Sequence, residues 1–153
     1  MRVHDVLKRK GHDVVTITPD ATVADLLKLL NEYKIGSVVV VDGDRIVGLV
    51  AERDIVAQLA STEDDIRRLP VRQLMESEVR VCSLDDDTAD LAAVMTEYRV
   101  RHLPVADENG RLLAIVSIGD VVKARLGTLT DERNHLINYV QQEPPKGRVI
   151  SGE

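Results

Sequence analysis

The chain has 153 residues, 44% of them apolar and 30% charged, a composition that builds a core covering roughly 70% of the unfolded surface and excludes global disorder. A net charge of −6, with no Trp, no Phe and three Tyr, repels nucleic-acid backbones and leaves no aromatic platform for bases, so no nucleic-acid partner is expected. The single Cys82 excludes an intrachain disulfide and a cysteine-based zinc site.

The chain order starts with a short amphipathic helix carrying Val3, Val6 and Leu7. Residues 14–17 read as a strand. Pro19-Asp20-Ala21-Thr22 opens a helix with Val23, Leu26, Leu27 and Leu30 on one face. Two β-branched runs, residues 37–42 and 45–51, flank a tight turn, and a helix begins near Glu52. The order then restarts. Val71, Leu74 and Met75 form a leading helix, and residues 79–82 a strand. Asp86 or Asp87 caps a helix with Leu91, Val94 and Met95 inward. Strands over 102–107 and 111–117 precede a helix near Ile118.

The restart is a true internal repeat. Ala24-Asp25-Leu26 returns as Ala89-Asp90-Leu91, and Glu32-Tyr33-Lys34-Ile35 as Glu97-Tyr98-Arg99-Val100, both at an offset of 65. The offset becomes 66 after the hairpin turn, where Glu108-Asn109-Gly110 stands for Gly43-Asp44. The fold class is thus α/β (α+β). Two βαββα repeats, each with a leading helix, pack sheet to sheet about a pseudo-two-fold axis, because one short repeat cannot cover its own sheet. The expected divisions are repeat 1 over 1–60, a linker over 61–70, repeat 2 over 71–127, a C-terminal helix over 128–142 and a flexible tail over 143–153. That helix starts at Thr130-Asp131-Glu132. Its stripe of Leu129, Leu136, Ile137 and Val140 packs either on its own domain or on a partner chain. The longest apolar runs are too short to span a bilayer. The N-terminal Met1-Arg2-Val3-His4-Asp5 is charged where a signal peptide would begin its apolar core, so a cytoplasmic protein away from membranes is expected.

Chemistry concentrates where each hairpin meets its last helix. The two junctions read Gly48-Leu49-Val50-Ala51-Glu52-Arg53-Asp54 and Ala114-Ile115-Val116-Ser117-Ile118-Gly119-Asp120. A carboxylate there can accept a ribose diol, with the Ser hydroxyl and helix amides beside it for sugar or phosphate oxygens. The same Ser117 and Asp120 also read as a helix cap, and the two readings stay open. Ala51 cannot cap through its side chain, yet Asp54 is present. Arg99, Arg101 and His102 are the densest cationic cluster, either an anion site or a solvated edge. His4, His12 and His135 lack metal-ligand spacing, so no metal is expected. A triad of Ser117, His102 and an Asp would lack a Gly-x-Ser-x-Gly elbow, and no phosphate-binding Gly-rich loop or dinucleotide fingerprint occurs. No catalytic residue is assigned and no enzyme is expected.

Several stretches together resemble the tandem CBS (cystathionine β-synthase) domain pair, or Bateman module. They are Thr16-Ile17-Thr18-Pro19-Asp20-Ala21-Thr22-Val23-Ala24-Asp25, Ile35-Gly36-Ser37-Val38-Val39-Val40, the Gly48 to Ile55 junction, Val100-Arg101-His102-Leu103-Pro104-Val105 and Ile115-Val116-Ser117-Ile118-Gly119-Asp120-Val121. The resemblance covers about residues 2–126, and the continuation is similar to stand-alone bacterial CBS-pair proteins. It implies two clefts for an adenosine-containing ligand: AMP, ADP or ATP, and in some members NAD or S-adenosylmethionine. By resemblance Asp120 and Ser117 hold the ribose, with Asp54 as the equivalent carboxylate, and Arg101 and His102 contact phosphate. The adenine pocket beside Asp120 would comprise Val14, Val15, Thr16, Ile35, Ser37 and Ile118. The second cleft would comprise Val79, Arg80, Val81, Ala51 and Arg53. Ala51 departs from the family's usual Ser or Thr, so the Asp120 cleft is expected to be the stronger. The resemblance further implies a homodimer that senses a nucleotide and regulates a protein partner. The alternative is a dimeric interaction protein that needs no ligand.

Overall fold

The computed structural model describes residues 1–137, 147, 148 and 150. The elements are α1 (Val3–Lys10), β1 (Thr16–Ile17), α2 (Val23–Tyr33), β2 (Ser37–Asp42), β3 (Arg45–Ala51) and α3 (Glu52–Ser61). A 3₁₀ turn at Val71–Gln73 precedes α4 (Thr88–Tyr98), β4 (His102–Ala106), β5 (Leu112–Ser117) and α5 (Ile118–Ile137). Local chemistry sets the helix ends. The Thr22 hydroxyl accepts the Asp25 N–H at 3.2 Å while the Asp25 carboxylate accepts the Thr22 N–H at 3.1 Å, a reciprocal cap on α2. Asp87 caps α4 through the Ala89 N–H at 2.8 Å. Both helices stop at a left-handed residue, Lys34 (φ 54°) and Arg99 (φ 53°), equivalent in the repeat.

One sheet has the order β1-β2-β3, with β1 parallel to β2 and β2 antiparallel to β3. The other has only β4 and β5. The expected strand over 79–82 is reduced to a single parallel bridge from Cys82 to Val105. Pro104 stands where β2 has Val39, and proline has no N–H to offer a neighbouring strand. The strand expected over 14–17 shortens to Thr16–Ile17, and the leading helix expected at Val71 is the 3₁₀ turn.

The leading segments are exchanged between repeats. The N–H groups of Val3 and His4 donate to the carbonyls of Asp86 (2.9 Å) and Leu84 (3.1 Å), and Val3 and Leu7 join the core of Leu91, Met95, Leu103 and Val116. Conversely, the Val71 N–H donates to the Ala21 carbonyl at 2.8 Å, and Ile66, Val71 and Leu74 complete the core of Leu26, Val38 and Val50. Each repeat is therefore covered by the segment that precedes the other. Two residues further on, Met75 and Glu76 cross β3, with the Leu49 and Glu76 backbones bonded both ways at 3.0 and 2.9 Å. Gly48 leaves room for that crossing: a Cβ there would collide with Met75 and come within 3.1 Å of the Glu76 carbonyl.

The two sheets meet through equivalent residues. Arg45 bridges Arg111 antiparallel, flanked by Ile46 N–H to Gly110 O (3.2 Å) and Leu112 N–H to Asp44 O (2.9 Å). Ser37 Oγ lies 3.2 Å from His102 Nδ1. A local two-fold axis passes between these pairs. Helix α5 runs unbroken to Ile137, so there is no separate start at Thr130. Of the expected C-terminal stripe, Leu129 is exposed, the side chains of Leu136 and Ile137 are not described, and Val140 lies outside the described residues, as does most of the tail. Among the described residues no helix is long and apolar enough to cross a membrane.

Candidate functional site

Register aligns four residues across the two sheets. Ser37 faces Ala51, His102 faces Ser117, and the Ser37–His102 hydrogen bond joins the halves. At each end of this row a helix begins. The Glu52 N–H donates to Gly36 O (3.0 Å) and the Ile118 N–H to Arg101 O (2.8 Å). Each helix carries its carboxylate at the third position. Asp54 Oδ2 accepts the Ala51 N–H at 2.8 Å. Asp120 Oδ2 accepts the Ser117 N–H at 2.8 Å, while Ser117 Oγ accepts the Asp120 N–H at 3.1 Å. Ser117 and Asp120 thus form a reciprocal cap. Capping does not exclude binding, because it fixes the carboxylate's direction and uses one of its two oxygens.

The two carboxylates have different neighbours. Lys10, at the end of α1, donates from Nζ to Asp120 Oδ2 and to the Ile115 carbonyl, the latter at 2.8 Å. Burial pushes the Asp120 carboxyl up, but the Lys10 ammonium and the Ser117 N–H outweigh it and hold the group below the usual aspartate value. At Asp54 burial wins. It raises the carboxyl, the Ala51 N–H opposes it, and the charge of Glu76 adds to the rise. Arg53, next to Asp54, donates instead to Glu76 Oε1 at 3.1 Å. Burial lowers His102, with the positive charges of Lys10 and Arg101 acting in the same direction and Asp120 opposing, so the ring is neutral at pH 7. Burial pushes the Cys82 thiol up to about 12, which keeps it an inert core group.

A cavity of about 1000 Å³ opens along the row at Ala51, Ser37 and His102 and does not reach Ser117. Its walls include Lys34, Arg53, Arg99, Arg101 and His102, with Glu52 as the one acidic residue. A second cavity, about 370 Å³, adjoins it through Leu49, Arg53, Val100 and His102, and is closed by Glu76, Glu78, Val79, Arg80, Tyr98 and Leu103. The Arg80 guanidinium lies 3.2 Å above the centre of the Tyr98 ring. The structure therefore groups Ala51, Arg53, Arg101 and His102 around the larger cavity and Arg53, Val79, Arg80 and His102 around the smaller one that adjoins it. Val81 is exposed and outside both cavities. Ile35 and Ser37 line the larger cavity, whereas Val14, Val15, Thr16, Ser117, Ile118 and both carboxylates, Asp54 and Asp120, line neither.

Lys10 is the residue that sequence reasoning missed. A sequence signal is present there: Val3 matches Val71 at an offset of 68 against 65 further on, so the first copy is three residues longer than the second around Lys10 to Asp13.

The CBS domain family matches residues 3–61 and 71–127. The chain belongs to the CBS-domain family. Its CBS pair is 43% identical to a CBS-domain containing protein from Agrobacterium tumefaciens, with a TM-score of 0.76 over 82% of this chain and 99% of that one. The pair is 30% identical to the mitochondrial CBS domain-containing protein CBSX3 of Arabidopsis thaliana, over 91% of this chain and 71% of the relative. CBSX2, solved in complex with AMP, is 31% identical with a TM-score of 0.69, over 84% of this chain and 98% of that one.

Proposed function

We propose that this CBS pair is a non-enzymatic sensor of an adenine nucleotide, AMP, ADP or ATP, acting in the cytoplasm as a homodimer on a protein partner. The observation that carries the reading is the row Ala51–Ser37–His102–Ser117, with an oriented carboxylate at each end and a cationic cavity beside Ala51, Ser37 and His102. The diol of a ribose donates two hydrogen bonds to a carboxylate, and the phosphate then points toward Arg53, Arg99 and Arg101. The base occupies the apolar space between strands, and the smaller cavity is within the size range of ligand pockets. That CBSX2 was solved with AMP supports the same ligand class. The dimer rests on apolar side chains left exposed on two helices, Val56 and Leu59 of α3 with Val122 and Leu126 of α5.

A nucleotide at 100 times its Kd adds about 2.7 kcal/mol, which raises Tm by roughly 5–10 °C for a chain of this size. Thermal unfolding with each nucleotide at millimolar concentration is the test. No shift with any of them overturns the sensor and leaves the ligand-independent interaction protein, which the same exposed helices support. Release of ADP or AMP from ATP makes the protein an enzyme instead. Light scattering is expected to give twice the chain mass.

A further inference from the structure

The two-fold relation would give both clefts the same occupant, but Lys10 breaks it. Its ammonium sits on Asp120, the carboxylate that the nucleotide reading assigns to the sugar, and a second bond to the Ile115 carbonyl holds it there. The lysine side chain is 29% exposed, and its ammonium is held by two acceptors of the second repeat. Asp120 Oδ2 already receives both the Ser117 N–H and this ammonium. On the other side, Asp54 receives only the Ala51 N–H among the described residues, and the nearest arginine is turned to Glu76.

We propose that Lys10 is an internal competitor for the ligand's sugar in the Asp120 cleft, so that the Asp54 cleft fills first and the Asp120 cleft fills only when ligand displaces Lys10. This rests on the nucleotide reading above. A ribose hydroxyl is a weaker partner for a carboxylate than an ammonium. Ligand entering the Asp120 cleft must therefore break a charge-assisted pair and leave the ammonium to find another anion. Ligand entering the Asp54 cleft breaks no such pair. The competitor reaches its place through the exchanged leading segment: α1 is anchored on the second repeat by Val3 and Leu7, and Lys10 ends that helix.

The test is calorimetric titration of the full chain with AMP, comparing wild type with Lys10→Met, which keeps the aliphatic stem and removes the charge, and with Lys10→Arg, which keeps the charge. Wild type and Lys10→Arg are expected to show one tight and one weak event. Lys10→Met is expected to strengthen the weak event about tenfold or more, the worth of one charge-assisted hydrogen bond, with the tight event unchanged. A weakened event in Lys10→Met makes Lys10 a ligand contact and overturns the proposal, as does an unchanged titration. The ion pair is checked without ligand by NMR titration of the Asp120 carboxyl, which Lys10→Met must move upward; no movement overturns the proposal whatever the nucleotide does. If the carboxyl moves but neither protein binds AMP, ADP or ATP, the nucleotide reading falls and the competitor role falls with it. Should Lys10→Met not fold, Lys10→Gln takes its place in both measurements.

Discussion

In both repeats a carboxylate three residues past the end of a strand accepts that strand's last N–H at 2.8 Å. The backbone around Asp54 and Asp120 is the same, down to the carbonyls of Gly36 and Arg101 that receive the next N–H. The side chains around them differ. Burial pushes both carboxyls up, but at Asp120 Lys10 outweighs it and holds the group low, whereas at Asp54 burial prevails and Glu76 adds to the rise. Duplication has preserved the main-chain frame, which is tied to hydrogen bonds that every residue can make. Side chains that reach in from other segments decide what each site can hold.

The strongest test of this equivalence lies in the cores. Leu26 and Leu91 are equivalent and both fully buried, so Leu26→Ala and Leu91→Ala are each expected to cost about 2–5 kcal/mol. With the leading segments exchanged, each variant is expected to unfold in one calorimetric transition. Two transitions in either would show that the repeats melt independently.

Next in size is the ligand response. Asp54→Ala is expected to remove at least one charge-assisted hydrogen bond, about 1.5–3 kcal/mol, and to weaken the tighter calorimetric event at least about tenfold. Asp120→Ala is expected to leave that event intact. The reverse order would restore Asp120 as the principal site, as the Ser117 hydroxyl alone suggests.

Gly48→Ala is expected to cost about 1–3 kcal/mol, measured by denaturant unfolding, because the new Cβ meets Met75 and the Glu76 carbonyl across β3. The equivalent position in β5 is already alanine, Ala114, so the asymmetry is itself the measurement. Lys34→Gly and Arg99→Gly are expected to stabilise by under about 1 kcal/mol each. Glycine relieves a left-handed residue of about 1–2 kcal/mol but frees the unfolded chain by roughly 0.4–1 kcal/mol.

Acid separates the two carboxylates by sign. The folded value of Asp120 is lowered, so its stabilisation is complete above the ordinary aspartate value and is lost as pH falls through the lowered one. Asp54 is raised, so the folded chain holds that proton more tightly than the unfolded chain, and ionising it costs stability as pH rises. On acidification Asp54 therefore loses its charge first. In the ligand-free chain Asp54 is expected to take up its proton at a higher pH than Asp120, as followed by NMR titration of the two carboxyls from pH 7 downward.

The sequence carried the elements better than their pairing. Ser37–Asp42 and Arg45–Ala51 fall where the β-branched runs place them, and Thr22 and Asp87 cap as their side chains suggest. Val3, Val6 and Leu7 have the same apolar spacing as Val71, Leu74 and Met75. That spacing says a face is buried and not which repeat buries it, so the exchange was invisible. Thr130-Asp131-Glu132 has the chemistry of a helix start, but α5 already runs through it. Lys10 reads as a cation at a helix C-terminus, a common arrangement, and its partner lies 110 residues away.

The exchanged leading segments also fix a timetable. As the chain leaves the ribosome, α1 is made long before the core it covers, while the first repeat has all its strands by Ala51 and still waits for Ile66, Val71 and Leu74. Neither repeat can close from its own residues alone. The first repeat thus emerges with its core open to water until the linker follows, and α1 must stay unattached until Leu103 and Val116 arrive. Domains are commonly completed one after another during synthesis; here the crossed covers make completion a joint event, finished only when the second hairpin is in place.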